Sequence, residues 1–286
     1  MADYLAMKEA IADCKGVCFM VIRRHESLNR YLQNLRIEIK EIRYLDADTE
    51  WNFPIHGSPF NRLYFVTEGS ASVSDGQHTI LLEKGYMYLI PINAPYALYC
   101  ENSMQKIYVH FTAEILPGQD IFEDNRLCSA KPYDKTMVDQ MRDLLDSQSP
   151  GDFLAIQSIL LASMSQMLKA PKENMDEWFG MLLKYKDLYR YVKENCHANI
   201  SIGELASALY MSPATLTKSF KSDMGYSLKS FLNRKLIDKI KEYLVLTDLG
   251  LKEISRLLMF SDEFYLSNFF KKQVGVSPKV YKTSQI

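Results

Sequence analysis

The sequence predicts an α+β fold in which an N-terminal β-barrel or jelly roll is followed by helices and then by an all-α C-terminal domain. Three observations support this prediction. Short aromatic and β-branched runs follow one another between residues 36 and 111, the hydrophobic period becomes helical after residue 133, and the C-terminal part contains the same small helical unit twice. At 286 residues the chain has room for about two domains.

The N-terminal part shows the pattern of antiparallel strands. The segment RIEIKEIRYLD, from Arg36 to Asp46, alternates apolar and polar residues, and the runs NRLYFVTEG and YMYLIPI are aromatic and β-branched. SDGQH lies between two such runs and predicts a hairpin turn, and Glu83-Lys84-Gly85 predicts another break. Short antiparallel strands at this density are typical of a barrel or a jelly roll.

The segment from Tyr133 to Ala170 has a helical period, and Pro150-Gly151 separates two predicted helices. Apolar residues line one face of the second helix: Phe153, Ile156, Leu160, Met164 and Met167. This face could form a dimer seam or pack on the barrel. We therefore expect a sensor domain over residues 1–132, a helical dimerisation or linker segment over 133–176, with the polar linker at 171–176, and a helical domain over 177–286.

The duplicated unit is the most specific feature of the chain. The first copy is ISIGELASALYMSPATLTKSFKSDMG (Ile200 to Gly225) and the second is LGLKEISRLLMFSDEFYLSNFFKKQVG (Leu249 to Gly275). Each copy predicts a short helix, a tight turn and a second helix with a polar, cationic face. This arrangement is a helix-turn-helix, which fits the major groove of B-DNA.

Local signals define the helix starts and the exposed face of each second helix. Ser201-x-x-Glu204 predicts a capping box, Ser212-Pro213 opens the first recognition helix, and Ser261-Asp262-Glu263 opens the second. Leu216 and Phe220 should face inward, as should Tyr265, Leu266, Phe269 and Phe270. The predicted DNA-contacting residues are Ala214, Thr215, Thr217, Lys218, Lys221, Glu263, Phe264, Ser267, Asn268, Lys271 and Lys272.

A long helix, SLKSFLNRKLIDKIKEYLVL, should join the two repeats. At 1.5 Å per residue it spans roughly 28 Å. Successive major grooves on one face of a duplex are about 34 Å apart. A single chain should therefore contact two adjacent major-groove segments of double-stranded DNA.

Charge is distributed unevenly. The whole chain has 34 Lys and Arg against 35 Asp and Glu, but residues 181–286 contain 17 against 10 and residues 1–180 contain 17 against 25. A basic C-terminal part and an acidic N-terminal part suit a DNA-binding domain joined to a sensor that phosphates repel. Chance asymmetry between two domains is the alternative.

The remaining composition predicts a cytoplasmic protein with no catalytic residue, metal or cofactor. No apolar run reaches the length of about 18 residues needed to span a membrane. The five scattered cysteines lack C-x-x-C spacing and are expected to be reduced; Cys14 and Cys18 are close in sequence, but no further zinc ligands lie near them. The histidines are unpaired, and no Ser or Cys has a recognisable activating context.

A binding pocket in the barrel is the remaining prediction for the N-terminal part. Strand alternation places Arg62 with Tyr64, Tyr86 with Tyr88, and Tyr108 with His110. Trp51 and Phe53 precede these strands. Aromatic planes and a few polar groups suit a sugar or another polar organic effector. The alternative is that these eight side chains form core or interface.

The motifs ISIGELA, MSPATLTKSFKSDMGYS, LKEIS and FSDEFYLSNFFKKQVGVSPKVYK resemble the DNA-binding domain of AraC/XylS-family bacterial transcriptional regulators, over about a third of the chain. EKGYMYLIP and the strand density resemble, more loosely, the family's cupin-like effector domain. The resemblance implies promoter binding governed by a small molecule, often a sugar, together with homodimerisation, a cytoplasmic location and RNA polymerase as a further candidate partner.

The sequence departs from the family pattern at four positions. Met259 replaces a frequent Gly, Leu236 and Asn268 replace frequent arginines, and Ile240 replaces a frequent Ala. A residue other than Gly held at positive φ costs on the order of 1 kcal/mol. These departures leave open a protein-interaction module that keeps the fold but not the DNA affinity. A third alternative, an enzyme with a DNA-binding appendage, needs an activated cysteine for which the sequence gives no context.

Overall fold

Strands occupy the first part of the computed structural model, which describes residues 33–123, 125, 128–147, 149–168 and 175–285. They are β1 (Arg36–Ala47), β2 (Phe53–His56), β3 (Asn61–Ser74), β4 (Thr79–Glu83), β5 (Tyr86–Ile90), β6 (Pro95–Tyr99), β7 (Met104–Leu116), β8 (Gln119–Asp120) and β9 (Ser129–Pro132). Cys14, Cys18 and residues 171–174 of the predicted linker lie outside the described residues.

The strands pair antiparallel throughout and form two connected sheets. One sheet has the order β1-β7-β3-β5-β9, and the other joins β2, β6, β3 and β4. The long strand β3 belongs to both. Its pairing with β7 shifts between Val66 and Glu68, and Gly69 follows with φ +66°. A Cβ on Gly69 would lie 2.1 Å from the Ser103 carbonyl oxygen, so only glycine fits this bend.

The two faces of β3 belong to different cores because side chains alternate along a strand. Leu63 and Phe65 face outward and pack with the first helices, whereas Tyr64 and Val66 face the barrel interior. Mostly apolar side chains therefore line the inside of the barrel, and the first helices cover one outer face.

Helices follow the barrel. They are α1 (Lys135–Leu144), α2 (Pro150–Met167), α3 (Met175–Lys184), α4 (Lys186–Glu194), α5 (Ile202–Ala208), α6 (Pro213–Met224), α7 (Leu228–Leu246), α8 (Leu251–Leu257), α9 (Glu263–Val274) and α10 (Pro278–Thr283). The predicted α+β fold with two helix-turn-helix units joined by a long helix is confirmed. In the described residues no helix combines the length and the apolar character needed to cross a membrane.

The predicted apolar face of α2 is mainly a packing surface. Leu160, Met164 and Met167 are buried against the outer face of the barrel sheet. Ile156 is buried as well, while Phe153 is exposed. Two other apolar residues of α2, Leu154 and Leu161, are exposed instead, as is Leu168 directly after the helix.

The long helix α7 contacts the barrel as well as both repeats. Lys235 Nζ donates to the Gly118 carbonyl at 2.6 Å and lies 2.9 Å from Glu123. Asn93 accepts from Lys241 Nζ at 2.8 Å and donates to Asp238 at 2.9 Å. Leu236 and Ile240, two of the departures from the family pattern, are buried in the core of the second repeat.

Candidate nucleic-acid interface

The start of α6 matches the sequence prediction. Ser212 Oγ accepts from the Thr215 backbone N–H at 3.1 Å, and Pro213 occupies the first helical position. The helix ends at Gly225, whose φ of +79° is left-handed. A capped start and a glycine end hold this helix to twelve residues.

The start of α9 differs by one residue from the prediction. Asp262, rather than Ser261, caps the helix: its Oδ1 accepts from the Tyr265 N–H at 2.7 Å, and only Glu263 is an acid in the first turn. The Ser261 hydroxyl donates to Asp262. A carboxylate is the stronger acceptor and favours the positive end of the helix dipole, which explains the choice.

A capping box consists of two hydrogen bonds, and each repeat forms a different one of them. In the first, Ser201 Oγ accepts from the Glu204 N–H at 3.0 Å, but the Glu204 carboxylate accepts from the Tyr191 hydroxyl instead of reaching back to Ser201. In the second, the Glu253 carboxylate accepts from the Gly250 N–H at 2.7 Å. The capping box predicted at Ser201 and Glu204 is therefore only half formed, and α8 has the other half of such a box, which the sequence did not predict.

The turn between the helices has left-handed backbone in both repeats. Met259 has φ +55°, in agreement with the prediction that it replaces a glycine there. Tyr210 occupies the matching position of the first repeat with φ +54°. This second position was not found from the sequence, although both residues precede the turn serines at equal distance.

The structure exposes the predicted DNA-contacting residues. On α6, Leu216 and Phe220 are buried, while Ala214, Thr215, Lys218 and Lys221 are exposed and Thr217 is half-buried. Ala214, Thr217, Lys218 and Lys221 also line one shallow open depression. The hydroxyl of Thr215 is turned to the cap, since its Oγ1 lies 2.7 Å from Ser212 Oγ.

On α9, Leu266 and Phe270 are buried and Phe269 is half-buried, as predicted. The predicted contacts Phe264, Asn268, Lys271 and Lys272 are exposed, and Glu263 and Ser267 are half-buried. Tyr265 was expected in the core, but this expectation is wrong: its side chain is 56% exposed. The ring of Phe260, 5.8 Å away, takes the inner position, so Tyr265 extends the exposed face.

The lysines predicted to contact DNA on α6 and α9 have no acidic partner among the described residues. Among the residues that the structure describes, Lys218, Lys221, Lys271 and Lys272 make no ion pair with an acid. In contrast, Lys235 and Lys239 of α7 are paired with Glu123 and Glu242. The two recognition helices therefore expose uncompensated positive charge together with polar side chains suited to base edges.

In the barrel, the predicted effector residues are brought together only in part. Trp51 contacts Phe53 and Tyr64, with ring centroids 6.4 and 6.2 Å apart, and Tyr108 contacts His110 at 4.7 Å. Tyr88 is buried, and its hydroxyl accepts from the Glu83 N–H at 2.8 Å.

Tyr86 lies apart at the exposed end of β5 and contacts only the ring of Tyr88 among the described aromatic residues.

Burial and neighbouring cations set the protonation of His110. Burial, followed by Arg62, Lys106 and Arg43, lowers the pKa of His110 to about 2, so the ring is neutral at neutral pH. Its Nδ1 lies 3.2 Å from a Glu41 oxygen, and its Nε2 lies 3.3 Å from Arg62 Nη1. A neutral ring satisfies both contacts when Nδ1 donates and Nε2 accepts.

Arg62 is an effector candidate that also reaches the C-terminal domain. Its Nε donates to Ser58 Oγ at 3.0 Å, and Ser58 donates to Gln285 Oε1 at 2.8 Å. Arg62 Nη2 lies 3.4 Å from the same oxygen. Nearby, the Tyr281 hydroxyl donates to the Gly57 carbonyl at 2.6 Å. The sequence did not predict this contact, because it joins residues more than two hundred positions apart.

Comparison with known proteins agrees with these units. Residues 205–284 match the profile of a family described as a helix-turn-helix domain. The transcriptional activator NphR of Rhodococcus sp is 24% identical over 76% of this chain and 68% of its own. An uncharacterised HTH-type transcriptional regulator, YfiF of Bacillus subtilis strain 168, is 22% identical over 90% of this chain and 88% of its own.

The fold has solved counterparts. An apo ToxT variant from Vibrio cholerae strain SCE256 superposes with a TM-score of 0.52 at 13% identity, over 88% of this chain and 98% of that one. Wild-type ToxT from the same strain, with an unsaturated fatty acid bound, gives 0.51 at 13% identity, over 85% and 95%. The arrangement of an N-terminal sheet-rich domain before a helical domain is therefore shared.

Proposed function

Because the chain is a DNA-binding transcriptional regulator of the AraC/XylS family, we propose that α6 and α9 are its recognition helices. The observation that carries this proposal is the exposed, unpaired positive charge on the same helix faces that present Thr, Ser and Asn. Such a face contacts both phosphates and base edges, whereas an ordinary solvated helix usually balances its charges.

The residues divide by chemistry. Lys218, Lys221, Lys271 and Lys272 neutralise phosphates, and Thr217, Ser267 and Asn268 bond to base edges, with Asn suited to adenine. Ala214 and Phe264 offer apolar contact for the thymine methyl group. The side chain of Phe264 is 74% exposed to water, and contact with a partner surface such as DNA would bury it. Glu263, in the first turn of α9, can accept from the amino group of cytosine, and Thr215, whose hydroxyl lies 2.7 Å from Ser212 Oγ, supports the start of α6.

The two helices act on neighbouring major-groove segments. The 19-residue helix α7 separates them by a span of roughly 28 Å at 1.5 Å per residue. This length is close to one DNA turn, so one chain covers two grooves on one duplex face.

Selection of bound duplexes from a random pool, followed by footprinting, tests this function. We expect two protected segments per chain, with centres about one turn apart. Thr217→Ala should relax base preference in one segment and Asn268→Ala in the other, with Lys84→Gln in the barrel as the control. Uniform weakening at all positions by both variants, or a single protected groove, would contradict the assignment.

The barrel is the proposed effector domain. Trp51, Phe53, Arg62, Tyr64, Tyr108 and His110 surround its interior, and the fatty acid bound by ToxT, a relative in fold, supports a small-molecule role for such a domain. Tyr88 supports the wall through its bond to the turn before β5, and Tyr86 lies at the rim. Arg62 connects this interior to Gln285, so a ligand bound in the barrel can affect the DNA-binding part through this contact.

Dimerisation is proposed through α2. Leu154 and Leu161 are exposed and lie seven residues apart, the spacing of a coiled-coil seam, and the exposed Leu168 follows directly after the helix. Sedimentation should show a dimer in the wild type and a monomer in Leu161→Asp, while Ser158→Asp between the leucines serves as a milder comparison. A Leu161→Asp protein that remains dimeric would refute this seam. A cytoplasmic location and contact with RNA polymerase belong to the same proposal.

The alternative of a DNA-inactive interaction module is less well supported. Leu236 and Ile240 are accommodated in the core, and Met259 keeps the turn that a glycine would give. The departures from the family pattern therefore leave the geometry of the recognition helices intact.

A further inference from the structure

Lys106 is a buried cation inside the barrel. It lies on β7 beside Val66 of β3 and Leu45 of β1, and its side chain is 2% exposed. Its ammonium group lies 3.3 Å from the ring centroid of Tyr64, 4.1 Å from that of Trp51 and 5.8 Å from that of Tyr108. Three residues proposed for the effector site thus surround one lysine that the sequence pattern did not single out.

No acid balances this charge in the part of the chain that the structure describes. Lys106 has no hydrogen bond or ion pair there. The one acid among the buried residues of that part, Asp120, accepts instead from the Asn61 amide and from the backbone N–H groups of Ala113 and Phe122. Glu41 is already engaged by Arg43 and His110. Burial and then Arg62 lower the pKa of Lys106 well below its usual value, which expresses the cost of leaving the cation without a counter-charge.

Aromatic faces attract a cation, but they do not replace an anion. A lysine serving only to fill the barrel could be exchanged for Met at no cost, since Val66, Ile90, Leu98 and Met104 already make the wall apolar. A negatively charged group that enters from solution would supply the counter-charge that Lys106 lacks.

We propose that Lys106 anchors a small organic carboxylate in the barrel, with the carbon skeleton of the ligand lying against Trp51 and Tyr64. This inference rests on the proposed effector function and names the class of effector. One ammonium group matches one carboxylate, whereas a phosphate needs more donors than remain, because Arg62 is occupied by Ser58, His110 and Gln285. A neutral sugar needs many polar partners, which the apolar wall lacks.

Binding of matched acids and amides to the full chain tests the proposal. The probes are benzoate, phenylacetate and hexanoate, each compared with its primary amide, together with glucose and xylose as neutral sugars. Thermal shift and the fluorescence of Trp51, in a Trp178→Phe background that removes the other tryptophan, report binding. We expect at least one acid to raise Tm and change Trp51 emission, and its amide to do neither.

Substitutions identify the anchor. Lys106→Met should weaken binding of that acid at least tenfold, and Lys106→Arg should retain part of it, while Lys84→Met, on the exposed β4–β5 turn, should bind as the wild type does. Circular dichroism and the Tm without ligand establish that Lys106→Met is folded, so a loss of binding is not a loss of structure.

Three results would overturn the inference: no shift with any acid, equal binding of acid and amide, or unchanged binding in Lys106→Met. If a neutral sugar bound more tightly than every acid, the site would belong to a sugar rather than to a carboxylate. DNA affinity is measured on the same samples. If the protein fails to bind selected DNA, the proposed function fails; if it binds DNA but no acid, only this inference fails.

Discussion

The unpaired lysines of the recognition helices lead to a quantitative prediction about salt. Each phosphate that a lysine neutralises makes log K fall by about 0.9 per unit of log salt concentration. If Lys218, Lys221, Lys271 and Lys272 each meet a phosphate, they contribute a slope of about −3.6. Raising salt from about 50 to 200 mM then weakens binding about 150-fold through these four side chains alone.

Removing two of the four should change the slope by half of this amount. Lys271→Gln combined with Lys272→Gln should make the slope shallower by about 1.8, which reduces the loss over the same salt range about 12-fold. Fluorescence anisotropy of a labelled duplex, titrated at several salt concentrations, measures the slope. The matched control is Lys84→Gln with Lys131→Gln, which removes the same two charges from exposed positions of the barrel.

The control separates contact from general attraction. A slope that changes equally in both double variants would mean that only the overall field of the protein matters. A change smaller than about 0.9 in the α9 variant would mean that fewer than one of the two lysines reaches the backbone. Either result would refute the assignment of these lysines as phosphate contacts.

Three further predictions concern the scaffold. Phe270→Ala, in the core of the second repeat, should lower the free energy of unfolding in urea by about 3–5 kcal/mol, whereas exposed Phe264→Ala should change it by less than about 0.5 kcal/mol and weaken DNA binding instead. Gly69→Ala should lower the free energy of unfolding by more than about 1 kcal/mol, because it adds a clash with Ser103 to the cost of positive φ. Gly76 also has positive φ but has open space around it, so Gly76→Ala measures the cost of positive φ alone. Equal losses of stability in the two variants would refute the clash. Burial lowers the pKa of Lys106 in the folded protein, so the unfolded chain keeps this proton to higher pH. The free energy of unfolding should therefore rise as pH increases from the folded-state pKa towards about 10.5. Urea titrations at several pH values should show this rise in the wild type but not in Lys106→Met, and identical pH profiles of the two proteins would count against the prediction.

Local features were the ones that the sequence predicted well. The caps at Ser201 and Ser212, the buried Leu216 and Phe220, and the positive φ of Met259 each depend on a few neighbouring residues. The interactions that cause these features act over one or two helical turns, so a short stretch of sequence is enough to predict them. The strands from Arg36 onwards follow for the same reason, since alternation alone places their faces.

Where two local solutions compete, the sequence was less decisive. Ser261 and Asp262 can each cap α9, and the better acceptor, Asp262, takes the position. Phe260 and Tyr265 can each fill the inner position beside the turn, and the purely apolar ring does so, leaving the hydroxyl-bearing one exposed. In both cases the outcome depends on neighbours that only the folded chain supplies.

Contacts between distant segments could not be predicted at all. Lys106 meets Trp51 and Tyr64 only after β7, β3 and the segment before β2 have assembled, and a lysine in a strand ordinarily indicates an exposed face. The same applies to the pairing of Lys235 with Glu123, which joins α7 to the barrel. Burial of charge is a tertiary property, and for this reason Lys106 was found only in the structure, whereas Arg62 and His110 were already candidates from the sequence.

The shared side chains at the junction have a consequence for regulation. Arg62 lies on the interior face of the barrel, yet Ser58, His110 and Gln285 hold its guanidinium in place. Gln285 follows α10, whose Tyr281 packs on Phe270 of α9. A ligand that displaced Arg62 would therefore also disturb the helical domain, through the contact between Arg62 and Gln285. If the proposed effector moves Arg62 and DNA binding moves α9, the two binding events are coupled through Gln285 and Tyr281. By linkage, each ligand would then change the affinity for the other by the same factor.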